Sequence, residues 1–161
     1  MEKIFPNVIN VIVEVPKGSR NKYEYDHLSK RIKLDRVLFS AVHYPADYGY
    51  IENTIAEDGD EVDVLVLISE PTFPGCLIEA KPIGVLKMRD EKGIDNKILA
   101  VPLKDPLYQH INDIHDIAPH LLTEIENFFM TYKKLESKVV ETDGWSDLKR
   151  TLEYLNSRKK E

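Results

Sequence analysis

The hexapeptide Asp58-Gly59-Asp60-Glu61-Val62-Asp63 sets three aspartates on a glycine turn, directly ahead of the apolar run Val64-Leu65-Val66-Leu67-Ile68. Glycine in the second place lets the chain double back tightly, because without a Cβ it takes turn conformations closed to other residues. Asp58, Asp60 and Asp63 can then converge. Like charges brought together raise one another's pKa, so such a cluster stays ionised at neutral pH only beside a cation. The hexapeptide offers oxygen ligands and neither cysteine nor histidine. That set suits Mg2+, Mn2+ or Ca2+ better than Zn2+ or copper. A solvated acidic turn ahead of a strand is the plainer alternative. An EF-hand loop does not fit, since glycine stands second and the twelfth residue is Ser69 rather than a glutamate. A DxDxV nucleophile does not fit either, because its strand precedes the aspartates and here the strand follows.

A second acidic knot, Asp90-Glu91-Lys92-Gly93-Ile94-Asp95-Asn96-Lys97, precedes the apolar run Ile98 to Leu103. Taken alone, it is a hairpin tip with solvated charges. His110, His115 and His120 stand five apart and match no zinc spacing, so they are expected to be structural.

The elements that must position these groups begin with a strand from Val8 to Val15, rich in β-branched residues, stopped by Pro16 and carrying Glu14 near its end. After a turn at 17–21, Lys22 to Asp26 alternates, sending Lys22, Glu24 and Asp26 to one face and Tyr23 and Tyr25 to the other. A strand from Ile32 to Phe39 holds Arg36. Tyr44-Pro45-Ala46-Asp47-Tyr48-Gly49-Tyr50 reads as a tyrosine-rich turn leading back to the acidic motif, its phenols either packed in the core or lining a polar pocket. A strand at 62–68 follows, then a loop at 71–75, then two short strands between Leu77 and Met88, broken near Pro82. Asp105 is expected to cap a short helix that has Pro106 at its first position and runs to about Ile114. From Pro119, Leu121, Leu122, Ile125, Phe128, Phe129, Tyr132 and Leu135 recur at helical spacing, with Tyr132 and Lys133 in the last turns. Ser146-Asp147 caps a final helix with Leu148, Leu152 and Leu155 on one side and Arg158, Lys159 and Lys160 at its negative end. Many short strands followed by helices, with no repeat or linker, predict a mainly β protein with helices (α+β), a β-barrel with helices against it, in one domain over 1–161.

At 161 residues the chain is long enough to bury a core, and 42% hydrophobic with 31% charged residues is an ordinary globular balance. No segment approaches the roughly 18 apolar residues of a membrane span. The N-terminus, Met1 to Pro6, lacks the basic and apolar regions of a secretory signal, and Cys76 is alone, so a cytoplasmic location without membrane partners is expected. A net charge of −6 argues against nucleic-acid binding through a basic face.

The motif Asp58-Gly59-Asp60-Glu61-Val62-Asp63-Val64 resembles the signature of the soluble family I inorganic pyrophosphatases of prokaryotic type. The resemblance spans nearly the whole chain, taking in Glu14, Lys22-Tyr23-Glu24, Arg36, Tyr44 to Tyr50, Asp90-Glu91, Asp95, Lys97 and Phe128-Phe129 with Tyr132-Lys133. Glu61 stands where many members have proline. Lys17 to Arg20 lacks the acidic residue with which some bacterial members bind an additional metal between subunits. The resemblance implies an OB-like closed barrel flanked by C-terminal helices. It further implies Mg2+-dependent hydrolysis of pyrophosphate to two orthophosphates, by a metal-activated water with an aspartate as general base. Several Mg2+ ions are implied, with Mn2+ or Zn2+ as substitutes. By the same resemblance Asp58, Asp63 and Asp95 are expected to ligate a first metal, Asp63 a second, and Asp90 with Asp95 an ion carried by the substrate. Asp60 is expected to be the base, and Lys22, Arg36, Tyr48, Lys97, Tyr132 and Lys133 to bind phosphate. Glu14, Glu24, Tyr44 and Glu91 are expected in support, and a homohexamer is implied. The competing class is a non-enzymatic OB-type barrel for nucleotides or single strands, which calls for a basic groove with exposed aromatics.

Overall fold

Ile9, Val11, Val13 and Val15 are buried while the residues between them are not, the period-two pattern of a strand with one core-facing side. The computed structural model describes residues 4–161; Met1 to Lys3, on which the reading of the N-terminal segment rests, lie outside the described residues. In chain order the elements are β1 (Ile9–Val15), β2 (Asn21–Asp26), β3 (Arg31–Val37), β4 (Asp47–Ile51), β5 (Asp63–Val66), β6 (Leu77–Asp90), β7 (Gly93–Ile94), β8 (Lys97–Pro102), α1 (Pro119–Thr131), β9 (Glu141–Ser146) and α2 (Leu148–Asn156).

Five strands pair in the order β1-β4-β5-β8-β6, and β6 returns to pair with β1, so they close into a ring. This is the mainly β architecture with flanking helices that was expected. Closure leaves β1 and β6 without an open edge at their junction. The pairing of β5 with β8 is parallel, Asp63 standing opposite Lys97, whereas the other pairings of the ring are antiparallel. β2 and β3 form a separate two-stranded hairpin. Among the described residues no helix is long and apolar enough to cross a membrane.

Alternation divides the apolar residues into two clusters. Ile9, Val11, Ile51, Val64, Ile78, Val85 and Ile98 draw on all five ring strands and meet Leu155 of α2. Leu65, Leu86, Leu99 and Val101 face the other way and pack beneath Ile125, Phe128 and Phe129 of α1. Asp63 and Lys97 share the side of Leu65 and Leu99, so the charged groups at the start of β5 and β8 open toward α1.

Several expectations need correction. The tyrosine-rich segment is not a turn throughout: Asp47 to Ile51 is strand β4, held between β1 and β5. Gly49 permits this, since a Cβ built there lies 1.9 Å from the backbone oxygen of Ile12. Leu77 to Met88 is not two strands but part of the 14-residue β6, which absorbs Pro82 by a register shift against β8 between Pro82 and Gly84. The helix expected from Asp105 is a series of turns, with only a 3-10 turn at Ile114–Asp116. The Asp105 carboxylate is engaged instead by the Ser69 amide and hydroxyl, both at 2.8 Å, and by the Leu107 amide at 3.0 Å. α1 ends at Thr131, so Tyr132 is its C-cap and Lys133 lies beyond it; Leu135, expected on the packed stripe, is 67% exposed. Asp147 does cap α2, accepting from the Arg150 amide. β9 was not foreseen; its Gly144 and acidic residues obscure the pattern, and it pairs along β6.

Candidate active site

Because β5 and β8 run parallel, both enter the sheet from the same end, and this brings the two acidic motifs together. Lys97 is 2% exposed, and its ammonium donates to Asp63 Oδ2 at 2.7 Å, Asp95 Oδ1 at 2.9 Å and the Tyr48 hydroxyl at 2.9 Å. Its three protons are thereby engaged. Burial works against that charge, yet Asp63 foremost, with Tyr48 and Asp95, holds the Lys97 pKa well above its ordinary value. Asp95 is pushed up, by burial first and by Asp63, in spite of Lys97. Burial also raises the Tyr48 and Tyr132 phenols, keeping them protonated as donors.

The hexapeptide turn closes on itself: the Ala56 amide donates to Asp60 O at 2.6 Å, Gly59 N to Ala56 O at 3.1 Å and Asp60 N to Asp58 Oδ1 at 3.0 Å. Gly59 takes φ +90°, a conformation that favours glycine. Burial raises the pKa of Asp60, and Asp58 and Glu61 add to it, partly offset by Lys92 and His27. Across the site Glu14 Oε2 accepts the Tyr25 amide at 2.7 Å, but burial, reinforced by Asp63, pushes its pKa up to about 7.

The β2–β3 hairpin contributes the facing wall. A register shift between Lys22 and Tyr23 puts Lys22 opposite Arg36. Both reach the carboxylate of Asp35, Lys22 Nζ at 3.2 Å. Lys22 also lies 3.7 Å from Glu24. Arg36 Nε stands 2.9 Å from Glu136 Oε1, an ion pair whose N–H is not aimed along the contact. From the end of α1, Tyr132 is buried against Phe128 and Phe129. Lys133 donates to Asp90 Oδ2 at 3.1 Å and stands 3.9 Å from Glu91. The Lys92 amide and Lys133 hold Asp90 below the usual carboxylate range, outweighing burial.

Together these groups line one cavity of about 630 Å³. It gathers Asp58, Asp60, Asp63, Asp90, Asp95, Lys22, Arg36, Tyr48, Lys97, Tyr132, Lys133, Glu14, Glu24 and Glu91 from the sequence expectation. Tyr44 is not among its lining residues; it packs tilted against Tyr48 and Phe128, its buried hydroxyl without a hydrogen-bond partner among the described residues. Sequence reasoning missed Asp35, which joins Lys22 to Arg36, Lys138 in the lining, and Glu136, which pairs with Arg36 from outside the lining. Asp35, adjoining Arg36 on a strand, carried a weak signal; Glu136 carried none.

Eleven carboxylates line the cavity against six lysine and arginine side chains. Glu14, Asp60 and Asp95 are all raised above their ordinary values, by burial first and by like-charged neighbours after it. Among the described residues no three ligating groups already converge on one point, and Asp63 and Asp95 meet at Lys97 instead. An all-oxygen donor set with surplus charge nevertheless fits hard divalent cations.

A family model described as inorganic pyrophosphatase matches residues 11–161. The chain is 58% identical over 139 residues to an inorganic pyrophosphatase of Leifsonia xyli, covering 86% of this chain and 85% of that one. With that of Methanosarcina acetivorans it shares 53% over 152 residues, covering 94% and 90%. The crystal structure of inorganic pyrophosphatase from Thermus thermophilus superimposes with a TM-score of 0.93 at 47% identity, covering 95% of this chain and 90% of that one.

Proposed function

The chain belongs to the inorganic pyrophosphatase family and is an enzyme that hydrolyses pyrophosphate, and from that premise we propose that it does so with Mg2+ and with Asp60 as general base. The observation that carries this reading is that Asp58, Asp60, Asp63, Asp90 and Asp95 line one cavity together with Lys22, Arg36 and Lys133. A divalent ion belongs to the family's chemistry. Asp58, Asp63 and Asp95 would hold a first ion, Asp63 would serve a second, and Asp90 with Asp95 would hold an ion arriving with the substrate. Mg2+ bound there neutralises the substrate and makes water more acidic.

The side chains do the rest. Lys22, Arg36 and Lys133 hold the phosphate oxygens, Arg36 through a planar fork and the lysines as point charges. Tyr48 and Tyr132, kept protonated, donate to the same oxygens. Lys97 reaches a phosphate only as one of its three acceptors gives way, which ties substrate binding to the state of Asp63 and Asp95. Water attacks one phosphorus, the bond to the bridging oxygen breaks, and Asp60 takes the water's proton. Its raised pKa makes it a better proton acceptor than an ordinary aspartate. Glu14, Glu24 and Glu91 bind water or orient Lys22 and Lys133, and Tyr44 supports Tyr48 from behind. Residues 1–161 act as one catalytic domain, in the cytoplasm, as a homohexamer and without nucleic-acid or membrane partners. A phosphate-release assay with pyrophosphate and Mg2+ tests the reading: turnover is expected with Mg2+ and none after exhaustive chelation, and full activity in chelator would overturn it.

A further inference from the structure

Just ahead of the hexapeptide in sequence and outside the cavity lining, Glu57 is gripped by the C-terminal segment. Its Oε2 accepts the Tyr154 hydroxyl at 3.0 Å and its Oε1 lies 3.2 Å from Arg158 Nη2. The Arg158 guanidinium lies over the Tyr154 ring, 5.6 Å from its centre. The backbone joins in: the Ile55 amide donates to Arg158 O at 2.8 Å and the Lys160 amide to Asn53 O at 2.9 Å. Burial first and Glu57 next raise the pKa of the Tyr154 phenol, and the nearby Asn96 side chain works the other way. Asn96 Oδ1 accepts the Met88 amide at 3.2 Å.

The sequence neighbours of these contacts matter most. Glu57 immediately precedes Asp58, and Asn96 stands between Asp95 and Lys97. One phenol therefore bonds the flank of the first acidic motif and lies near the flank of the second, although none of Glu57, Asn96, Tyr154 and Arg158 lines the cavity. Stability is a poor explanation for this arrangement. α2 is already docked by the buried Leu155 and Thr151, and a partly exposed ion pair adds little to stability. Spacing is the better one, because a carboxylate site holds its ion through partners that fix the ligand-bearing backbone.

We propose that Tyr154 and Arg158 are positioning residues that set the distance between the Asp58–Asp63 turn and Asp95, and through it the affinity for the divalent ion. The inference rests on the reading that these aspartates hold the ion. Neither residue acts on substrate, so their effect is confined to metal binding and to whatever depends on it.

The test is calorimetric titration of Mg2+ into metal-free, substrate-free protein, with the melting temperature in chelator and kcat at saturating Mg2+ measured alongside. Tyr154→Phe keeps the ring and removes the hydroxyl with its bond to Glu57. It is expected to weaken Mg2+ about 10-fold, with the chelator melting temperature nearly unchanged and kcat at saturating Mg2+ within about two-fold. Arg158→Met is expected to act in the same direction, and it carries the test alone if Tyr154→Phe does not fold. Combining Glu57→Gln with Tyr154→Phe should cost less than the sum of the two, since both break one contact. Wild-type Mg2+ affinity in both Tyr154→Phe and Arg158→Met, or a lowered melting temperature with affinity intact, overturns the proposal. Asp58→Asn separates the two failures: if it leaves Mg2+ affinity untouched the ligand reading is at fault, and if it weakens Mg2+ while the α2 variants do not, the positioning role alone falls.

Discussion

Asp60 and Asp63 belong to one turn, yet their surroundings differ. Asp63 is locked to Lys97 at 2.7 Å, while Asp60 has Asp58 and Glu61 as like-charged neighbours and a raised pKa. Neutralising each should therefore fail differently. Asp63→Asn is expected to lower metal affinity, with activity partly recovered at raised Mg2+; Asp60→Asn is expected to lose about 10²–10⁴-fold in kcat without recovery. Rate against Mg2+ concentration for both variants is the measurement, and rescue of Asp60→Asn would make it a ligand. Glu14 carries a second prediction. Its pKa is raised from the ordinary value to about 7, so between about pH 4.5 and 7 the folded, metal-free protein binds a proton that the unfolded chain has released. Stability is thus full at the acid end of that window and is lost as pH rises through 7, by about 3 kcal/mol for a rise of that size. Melting in chelator from pH 5 to 8 should show wild type losing stability relative to Glu14→Gln; parallel curves would count against it.

At the scale of elements, β4 is the strand that composition concealed. A segment of Tyr, Pro, Asp and Gly reads as a turn, but here Gly49 lets β1 pass so close that no side chain fits. Gly49→Ala must displace backbone rather than a flexible side chain, so a loss of roughly 3 kcal/mol or more is expected, in the range of the severe single substitutions. A variant that melts at the wild-type temperature would show that β1 and β4 can part. The same comparison explains what was legible. The motifs of β5, β8 and the hairpin could be read because residue type and spacing are local properties, and α1 could be read because Ile125, Phe128 and Phe129 keep helical period. The rest is set by partners distant in sequence. Ser69 takes the Asp105 carboxylate that was expected to cap a helix, β8 tolerates Pro82 through a shifted register, and Glu136 reaches Arg36 from the far end of the chain.

For the molecule as a whole, Phe39, Leu107, Leu135 and Val139 stay more than half exposed in the single chain. Large apolar side chains left open in this way suit burial in an assembly. Sedimentation at micromolar concentration is expected to give six times the 18.6 kDa chain mass, and a monomer would remove the hexamer from the proposal. The parallel pairing of β5 and β8 has a consequence in time. Asp63 and Lys97 are 34 residues apart, and parallel neighbours cannot be joined by a tight hairpin, so their contact waits for a long loop to close. Contacts of that separation are slow to form. A copy still on its way to the folded state carries every acidic side chain and holds none of them in place. On the reading that these aspartates hold the ion, the capacity to capture it switches on with the closing of the ring.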